Sequence, residues 1–436
     1  MKINLGILCL MLLASTSYAQ LSELKLEDIV SKTLQNNLDL AIASNNAVVA
    51  KNLATKEQAG YLPTVSLNGT ANYSNNNTNL EFAGGLPPVE VNGAVNTGYG
   101  ANVGVNYVVF NGFTRENNYK ALVNSSKLTD IQFKVLSENL VFDAVNRYLD
   151  IQQSKLDLQA AYDNLQISKD RVQRTKLANE NGSKSKLDVL SATVDFNNDS
   201  LAVTTLITNI EKQKSSLSVL MGIDPSTPYF LSSDIPIPQS QDIEALTETA
   251  LNNNATILLA KVATNLAEIN TRALQGQRLP QVGLSMSYGL QENQNGAGIV
   301  LVQKTLGFNG GLSLSIPIYN GSQLKTALIN SEIAEKTSSL ELGKAILTIQ
   351  NEMKAAQLDK ELLNATIGAQ QANLSLAELA LERAKLAYNN GQISFNDLRM
   401  AQLQVLLSKN SLNQSNINLI RLYYAVNRLS GGLISE

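Results

Sequence analysis

Four segments of the chain alternate apolar and polar residues, which is the pattern of β-strands with one apolar face. In the first segment, Val65, Leu67, Ala71 and Tyr73 alternate with serine, asparagine and threonine. The pattern predicts strands at about residues 64–73, 99–110, 281–290 and 308–318. Strands of about ten residues cross a bilayer when they are tilted by about 45°. Because the polar partners are small and uncharged, this alternation is typical of a membrane barrel with a water-filled lumen.

Aromatic residues recur on or beside the apolar faces of these segments. In membrane barrels such residues lie near the two interfaces with water. We therefore predict an aromatic belt made of Tyr73, Tyr99, Tyr107, Tyr288 and Phe308. The alternative is a soluble β-sandwich, which four strands in a chain of 436 residues would serve poorly.

Most of the remaining sequence favours α-helix. From Gly112 to Gly182 there are 70 residues without proline, enough for a continuous helix of about 105 Å. Apolar residues keep heptad-compatible spacing in this stretch, among them Val135, Phe142 and Leu149. The sequence therefore predicts a mainly α protein with a coiled-coil-like bundle and a small membrane β-barrel part.

The sequence contains an internal repeat. Phe110-Asn111-Gly112 corresponds to Tyr319-Asn320-Gly321 at an offset of 209, and Asn181-Gly182 corresponds to Asn390-Gly391 at the same offset. A heptad series repeats as well: Val189, Phe196, Val203, Ile210 and Leu217 correspond to Leu398, Val405, Leu412, Leu419 and Val426. We predict a first repeat at 20–222, a proline-rich linker at 223–240, a second repeat at 241–431 and a tail at 432–436.

The N-terminal residues have the features of a secretory signal peptide. Lys2 precedes an apolar stretch of about eleven residues, which is too short to span a membrane. Ser17-Tyr18-Ala19 is a small-residue cleavage signal, so we predict a signal peptide at 1–19. Because Gln20 rather than cysteine follows, we expect no lipidation, and removal of Cys9 would leave the mature chain without a thiol.

Composition excludes several classes of function. The 34 basic residues nearly balance 37 acidic ones, so charge suggests no nucleic-acid partner. The chain has no histidine, which excludes Ser-His-Asp catalysis and histidine metal sites. We therefore expect neither an enzyme nor a cofactor or metal site.

Four strands cannot cross a membrane alone, because two hairpins leave open edges whose unpaired backbone groups are costly in hydrocarbon. The barrel must be shared among chains, with eight, twelve or sixteen strands, and a wide lumen favours twelve or more. Helices of about 100 Å would then extend the lumen through the periplasm. That architecture predicts a conduit.

In these features the chain resembles the TolC family of outer-membrane efflux channels. The shared features are the duplicated unit of helix, L-P-x-V, hairpin, F/Y-N-G and long helix, and the G-x5-D turn that precedes the last helix. The resemblance implies a homotrimer with a twelve-stranded barrel in outer-membrane lipid over a periplasmic helical tunnel. It also implies two partners, a periplasmic adaptor and an inner-membrane transporter of the RND or ABC class.

The resemblance also implies roles for residues at the turns between the last two helices of each repeat. Adaptor docking would fall on Asn181, Gly182 and Ser183 and on Asn390, Gly391 and Gln392. The alternative for both turns is an ordinary glycine C-cap with a polar turn, and the two explanations are compatible.

Four further residues match positions of the family's gate. Tyr388 and Asp188 match an interhelical latch, but its arginine partner would fall at Ile393; for Asp188 a helix-stabilising carboxylate is the favoured alternative. Asp397 matches the first aspartate of a constriction ring, whose second position is Met400.

The leading hypothesis is the exit duct of a tripartite system that exports drugs or other small toxic compounds. Type I protein secretion uses the same duct, so it is the first alternative. A barrel-anchored structural coiled-coil protein is the second, and it would not conduct ions. With no histidine and no mature cysteine, the duct could pass heavy metals but could not recognise them.

Overall fold

The structure is a computed structural model that describes residues 23–85, 87–233 and 242–434. The predicted signal peptide, Gln20 and Cys9 lie outside the described residues. The chain forms two compact units. Among the described residues, the first unit contains 23–41, 136–233, 242–249 and 352–434, and the second contains 42–85, 87–135 and 250–351.

The second unit carries a four-stranded antiparallel sheet. Its strands are β2 Thr64–Leu80, β3 Val89–Asn111, β5 Gln281–Gln294 and β6 Val302–Ser315, and they lie side by side in this order. Each of the two predicted hairpins forms, and β3 pairs with β5 to join them. Strands β2 and β6 are the sheet's edges, so each has a partner on one side within this chain.

The strands differ in length from the predicted ranges. The first extends beyond residue 73 to Leu80, and the second begins at Val89 rather than near 99. Residues 74–79 are polar on both faces, so no alternation marks them, yet Thr78 and Asn79 pair with Val91 and Glu90. The third also continues past 290, to Gln294.

The predicted fourth strand is wrong at both ends. It begins at Val302 instead of 308 and ends at Ser315 instead of 318. It ends there because Pro317 has no backbone N–H to donate to a sheet ladder.

The turn from β3 into the next helix requires glycine. Gly112 has φ of 65°, and a Cβ there would overlap the carbonyl oxygen of Gly276. Gly276 in turn has no room for a Cβ against the carbonyl oxygen of Gly112. These two glycines therefore allow the two backbones to touch.

The helices come in two sets of matching length. Helices α3 Thr114–Glu180 and α7 Gln323–Asn389 have 67 residues each, which is about 100 Å of helix. Helices α4 Lys186–Leu220 and α8 Phe395–Leu429 have 35 residues each. The shorter helices are α1 Leu26–Asn36, α2 Leu38–Leu53, α5 Ile243–Asn253 and α6 Ala255–Gly276. Equal lengths are what a duplicated unit requires.

In the part of the chain that the structure describes, no helix combines the length and the apolar composition that a membrane span needs.

The first unit has an apolar core between its long helices. Tyr148, Leu149, Leu217 and Ile417 are among its buried residues. Part of the predicted linker packs on this core, because β4 Phe230–Leu231 pairs in parallel with β1 Glu23–Leu24. Two side chains of α3 bind this segment: the buried Gln152 amide donates to the Ser232 carbonyl oxygen at 2.6 Å, and the partly buried Lys155 donates to that of Leu231 at 2.8 Å.

Candidate functional site

The two turns between the last helices of each repeat have the same backbone. We name them the first tip turn, residues 181–185, and the second tip turn, residues 390–394. In the first, the Gly182 N–H donates to the carbonyl oxygen of Asn179 and the Ser183 N–H to that of Ala178, at 2.9 and 2.8 Å. In the second, Gly391 and Gln392 donate likewise to the carbonyl oxygens of Tyr388 and Ala387.

These bonds and the positive φ angles of 70° and 72° at the two glycines define Schellman C-caps. The glycine-cap explanation of these turns therefore holds. It leaves their surface free for another role, so adaptor docking by residues 181–183 and 390–392 stays a prediction.

Both helices that follow the tip turns begin with a capping box. The Asp188 N–H donates to Ser185 Oγ at 3.1 Å, and the Ser185 N–H donates to Asp188 Oδ2 at 2.9 Å. Ser394 and Asp397 repeat the arrangement at 3.3 and 3.0 Å. The S-x-x-D sequence at both sites is a readable signal for this motif, and sequence reasoning missed it.

These bonds stabilise the ionised carboxylates. Hydrogen bonds from the Ser185 hydroxyl and then from its backbone N–H lower the pKa of Asp188 below its ordinary value. The Ser394 hydroxyl and N–H lower the pKa of Asp397 in the same way. Within one chain, both carboxylates are therefore fixed negative charges at neutral pH.

Tyr388 lies beside both tip turns. Its ring packs edge to face on Phe395, with centroids 6.0 Å apart, and Lys184 Nζ lies 5.7 Å from its ring centroid. Among the described residues, the side chain of Asp188 accepts its hydrogen bonds from Ser185. The Tyr388–Asp188 latch therefore stays a prediction, and the contacts of the tyrosine ring are with Phe395 and Lys184.

Asp397 and Met400 lie one turn apart on α8, both exposed, and Met400 is 66% exposed. Leu398 between them is buried, so this part of α8 has a packed face and a free face. Asp397 and Met400 share the free face, as a constriction ring would require.

A buried ionic cluster fixes the packed face of the same turn. Arg399 Nη2 donates to Asp199 Oδ1 at 2.7 Å, and its Nη1 donates to Asn164 Oδ1 at 3.1 Å. The Ser168 hydroxyl donates to the other oxygen of Asp199. The Arg399 and Asp199 side chains are only 14% and 10% exposed. Sequence reasoning missed this cluster, because no local spacing signals a contact among three helices.

A second basic residue, Arg171 of α3, contacts one residue of each repeat. It forms an ion pair with Asp195 of α4, and its guanidinium lies over the ring of Phe395. Burial lowers the pKa of Arg171, although the bond to Asp195 opposes that shift. Arg171, Tyr388 and Phe395 line a groove of about 300 Å³ beside the tip turns.

The sheet of the second unit has one polar face without charge. Rows of partners cross all four strands, such as Ser66, Gly104, Ser287 and Asn309. From the row of Thr64 to the row of Asn72, every residue on this face is glycine, serine, threonine, asparagine or glutamine. These residues surround a groove of about 370 Å³.

The predicted belt residues do not group at the two ends of the sheet. Tyr288 is the register partner of Phe308 near the middle of the apolar face. Tyr99 lies two rows away, beside the ion pair of Glu292 with Lys304. Tyr73 lies one row beyond Tyr99, and Tyr107 lies on the opposite side of the Tyr288 row. Their place in a membrane stays a prediction.

In the described ranges, histidine, cysteine, aspartate and glutamate form no group of three or more that could hold a metal ion. The hydrogen bonds of the tip turns are made with residues at the ends of the helices that these turns connect.

Comparison with known proteins gives a consistent result. Residues 29–223 and 246–432 match the family described as outer membrane efflux protein. The outer membrane efflux protein BepC of Brucella suis is 21% identical over 76% of this chain and 72% of its own. The toluene efflux pump outer membrane protein TtgC of Pseudomonas putida is 22% identical over 91% of this chain and 82% of its own.

The fold is similar to that of solved outer-membrane proteins. The crystal structure of VceC from Vibrio cholerae superposes with a TM-score of 0.76 at 18% identity, and covers 93% of this chain and 96% of its own. The family match spans both repeats and includes both tip turns. This chain belongs to the outer membrane efflux protein family.

Proposed function

We propose that the protein is the outer-membrane exit duct of a tripartite efflux system. Three copies of the four-stranded sheet close into a twelve-stranded barrel in outer-membrane lipid. The long helices of the three copies line the periplasmic part of the passage. The protein conducts passively, and its inner-membrane partner supplies the energy.

The observation that carries this proposal is the four-stranded sheet with one neutral polar face and two free edges. Open edges are not viable in hydrocarbon, so strands of this kind must pair between chains. In a closed barrel the polar face lines the lumen and the apolar face contacts lipid. A lumen of uncharged amide and hydroxyl groups lets solutes of either charge pass.

Gating is assigned to the second tip turn and the start of α8. Three Asp397 side chains around the molecular axis repel one another, and their negative charge favours cations over anions in the closed mouth. Met400 on the same exposed face adds an apolar ring. Tyr388 holds the closed arrangement through Asp188 in the first turn of α4, without the arginine that Ile393 replaces.

The partners are a periplasmic adaptor and an inner-membrane transporter of the RND or ABC class. The adaptor docks on the tip turns, at Asn181 to Ser183 and at Asn390 to Gln392. Two near-identical turns in one chain give three copies six equivalent positions. The cargo is drugs or other small toxic compounds, which is supported by similarity to a toluene efflux protein.

Single-channel recording of the purified mature protein in a planar bilayer, together with its oligomer mass, tests the proposal. We expect a trimer with a small, mostly closed and cation-preferring conductance. An assembly that does not conduct would replace the duct with a barrel-anchored structural protein. A conducting assembly of two or four chains would refute the twelve-stranded barrel.

A further inference from the structure

We infer that Arg399 is a positioning residue of the gate. It ties the start of α8, which carries Asp397 and Met400, to the first repeat through a buried ion pair with Asp199. The inference rests on the proposed function, since it gives Arg399 this role only if α8 carries the gate.

The contacts of Arg399 join three helices. Its guanidinium donates to Asp199 on α4 and to Asn164 on α3, at 2.7 and 3.1 Å. Ser168 of α3 donates to the second oxygen of Asp199, so this carboxylate also bridges α3 and α4. Together these bonds join α8 of the second repeat to both long helices of the first.

Arg399 and the two constriction residues lie on different faces of the same turn of α8. At 3.6 residues per turn, it points about 100° away from Met400 and about 160° away from Asp397. Its side chain is therefore held in the packed interior while Asp397 and Met400 remain on the free face. An opening movement that shifts α8 relative to α3 and α4 would break the bonds of Arg399 to Asp199 and Asn164.

The ion pair has no counterpart at the positions that the internal repeat relates to it. At the offset of 209 that relates the repeats, Leu190 corresponds to Arg399 and Ser408 corresponds to Asp199. The duplication therefore does not explain the pair. Buried ion pairs are weak contributors to stability, because desolvation opposes the attraction. A role in fixing one arrangement of the helices accounts better for its presence than stability does.

A matched control lies on two of these three helices, α8 and α3. Lys409 of α8 forms an ion pair with Asp163 of α3, next to Asn164, but the two side chains are 42% and 55% exposed. Exposed pairs of this kind are expected to contribute little. Lys409→Gln therefore removes an α8–α3 ion pair without touching the buried cluster.

The experiment measures the open fraction and closed-state conductance of Arg399→Gln, Asp199→Asn and Lys409→Gln trimers in planar bilayers. Loss of one charge-assisted bond from the closed state is expected to raise the open fraction about tenfold. We expect this rise for Arg399→Gln and Asp199→Asn, and wild-type behaviour for Lys409→Gln. The near-isosteric Asp199→Asn keeps the test available if Arg399→Gln does not assemble.

The double exchange Arg399→Asp with Asp199→Arg distinguishes an effect on the gate from an effect on folding, because it restores an ion pair with the charges reversed. We expect it to return the open fraction toward the wild-type value. Trimers of Arg399→Gln or Asp199→Asn that melt earlier but conduct as wild type would reduce the pair to a structural contact and overturn the inference. A wild-type protein that does not conduct would instead refute the proposed function, so the two failures are distinguishable.

Discussion

Asp188 and Asp397 have the same local geometry, and only their proposed positions in the assembled duct differ. Each carboxylate accepts the N–H and hydroxyl of the serine three residues before it. Geometry within one chain therefore does not separate a gate residue from a helix cap. Variants at the two positions are therefore informative when compared, because both lose the same capping interaction and any difference in channel behaviour comes from the position in the assembly.

Replacing Asp397 by asparagine should reduce the cation preference of the closed channel. Asparagine keeps the size of the side chain, and its amide oxygen can still accept the Ser394 N–H, but it removes the charge. The matched variant Asp188→Asn should leave the reversal potential of the closed channel unchanged, because Asp188 is assigned to the latch with Tyr388 and not to the constriction; its effect is expected on the open fraction. The measurement is the reversal potential under a salt gradient. Equal reversal potentials for wild type and Asp397→Asn would remove Asp397 from the narrowest point.

Asp188 and Asp397 should also differ in the pH at which each carboxylate is protonated and its capping box is lost. A carboxylate whose pKa is lowered in the folded state stabilises the fold above its ordinary pKa of about 3.9, and the stabilisation is lost as the pH falls through the lower folded value. Asp188 should follow this rule. For Asp397 the bonds to Ser394 lower the pKa, while three like charges in a ring raise it.

We therefore expect the first turn of α8 to lose protection at a higher pH than the first turn of α4. Hydrogen exchange of the trimer, read on peptides covering 185–190 and 394–399 between pH 7 and pH 3, measures both in one sample. A common transition for the two turns would argue against a ring of Asp397. Ser394→Ala supplies the control, since it should shift only the α8 transition.

At the scale of elements, the two Asn-Gly turns between strand and long helix differ in crowding. Gly112 and Gly321 have φ of 65° and 67°, so alanine at either is strained by about 1–2 kcal/mol. A Cβ at Gly112 would also overlap the Gly276 carbonyl oxygen, whereas a Cβ at Gly321 meets no atom of the described residues within 4 Å beyond its immediate chain neighbours.

Gly112→Ala should therefore reduce the yield and thermal stability of the trimer far more than Gly321→Ala. Heat resistance of the trimer on gels and its melting temperature are the measurements. Equal losses would mean that a neighbouring chain crowds Gly321 as closely as Gly276 crowds Gly112.

Proline in α8 tests whether this helix is needed as a continuous rod. Val405 lies inside α8, where proline removes a hydrogen bond and costs about 3 kcal/mol or more. Val405→Pro should abolish trimers on native gels. Lys186→Pro is the control, because Lys186 is the first residue of α4 and the preceding Ser185 is already extended. Normal trimers with Val405→Pro would show that α8 tolerates a break.

Sequence alone predicted most elements because their patterns are local. Alternation located the four strands, and the offset of 209 located both tip turns. Local pattern failed where both faces are polar, as at residues 74–79, and where two residues such as Phe230 and Leu231 pair only through tertiary contact. The Arg399 cluster was also out of reach, since Asp199 and Arg399 are 200 residues apart and have no counterpart in the other repeat.

At the scale of the whole molecule, the proposed barrel requires β2 of one copy to pair with β6 of the next. These are the two edges of the sheet, and β3 and β5 already have partners on both sides. Closure of three sheets then removes every edge, which is the condition for strands in hydrocarbon. Strands β2 and β6 run in opposite directions, because each of the three pairings within the sheet is antiparallel, so rotation about the barrel axis makes the pairing between copies antiparallel as well. Cross-linking can measure its register.

Cysteine pairs should cross-link neighbouring copies through these edges. Cys9 is the one cysteine of the sequence, so no thiol competes once the predicted signal peptide that contains it is removed. Asn68→Cys in β2 would be combined in turn with cysteine at Thr305, Gly307, Asn309 or Gly311, which share its polar face on β6. We expect at least one combination to give covalent trimers on non-reducing gels, because strand partners lie within disulfide reach.

The control replaces Asn68→Cys by Asn102→Cys, whose strand β3 lies between β2 and β5. Its cysteine should not reach β6 of another copy, since a neighbouring strand separates the two. If no β2 combination cross-links in a protein that still conducts, the channel is closed by some other pairing. The position of the pair that does cross-link fixes the register between copies, and with it the tilt of the strands and the width of the lumen.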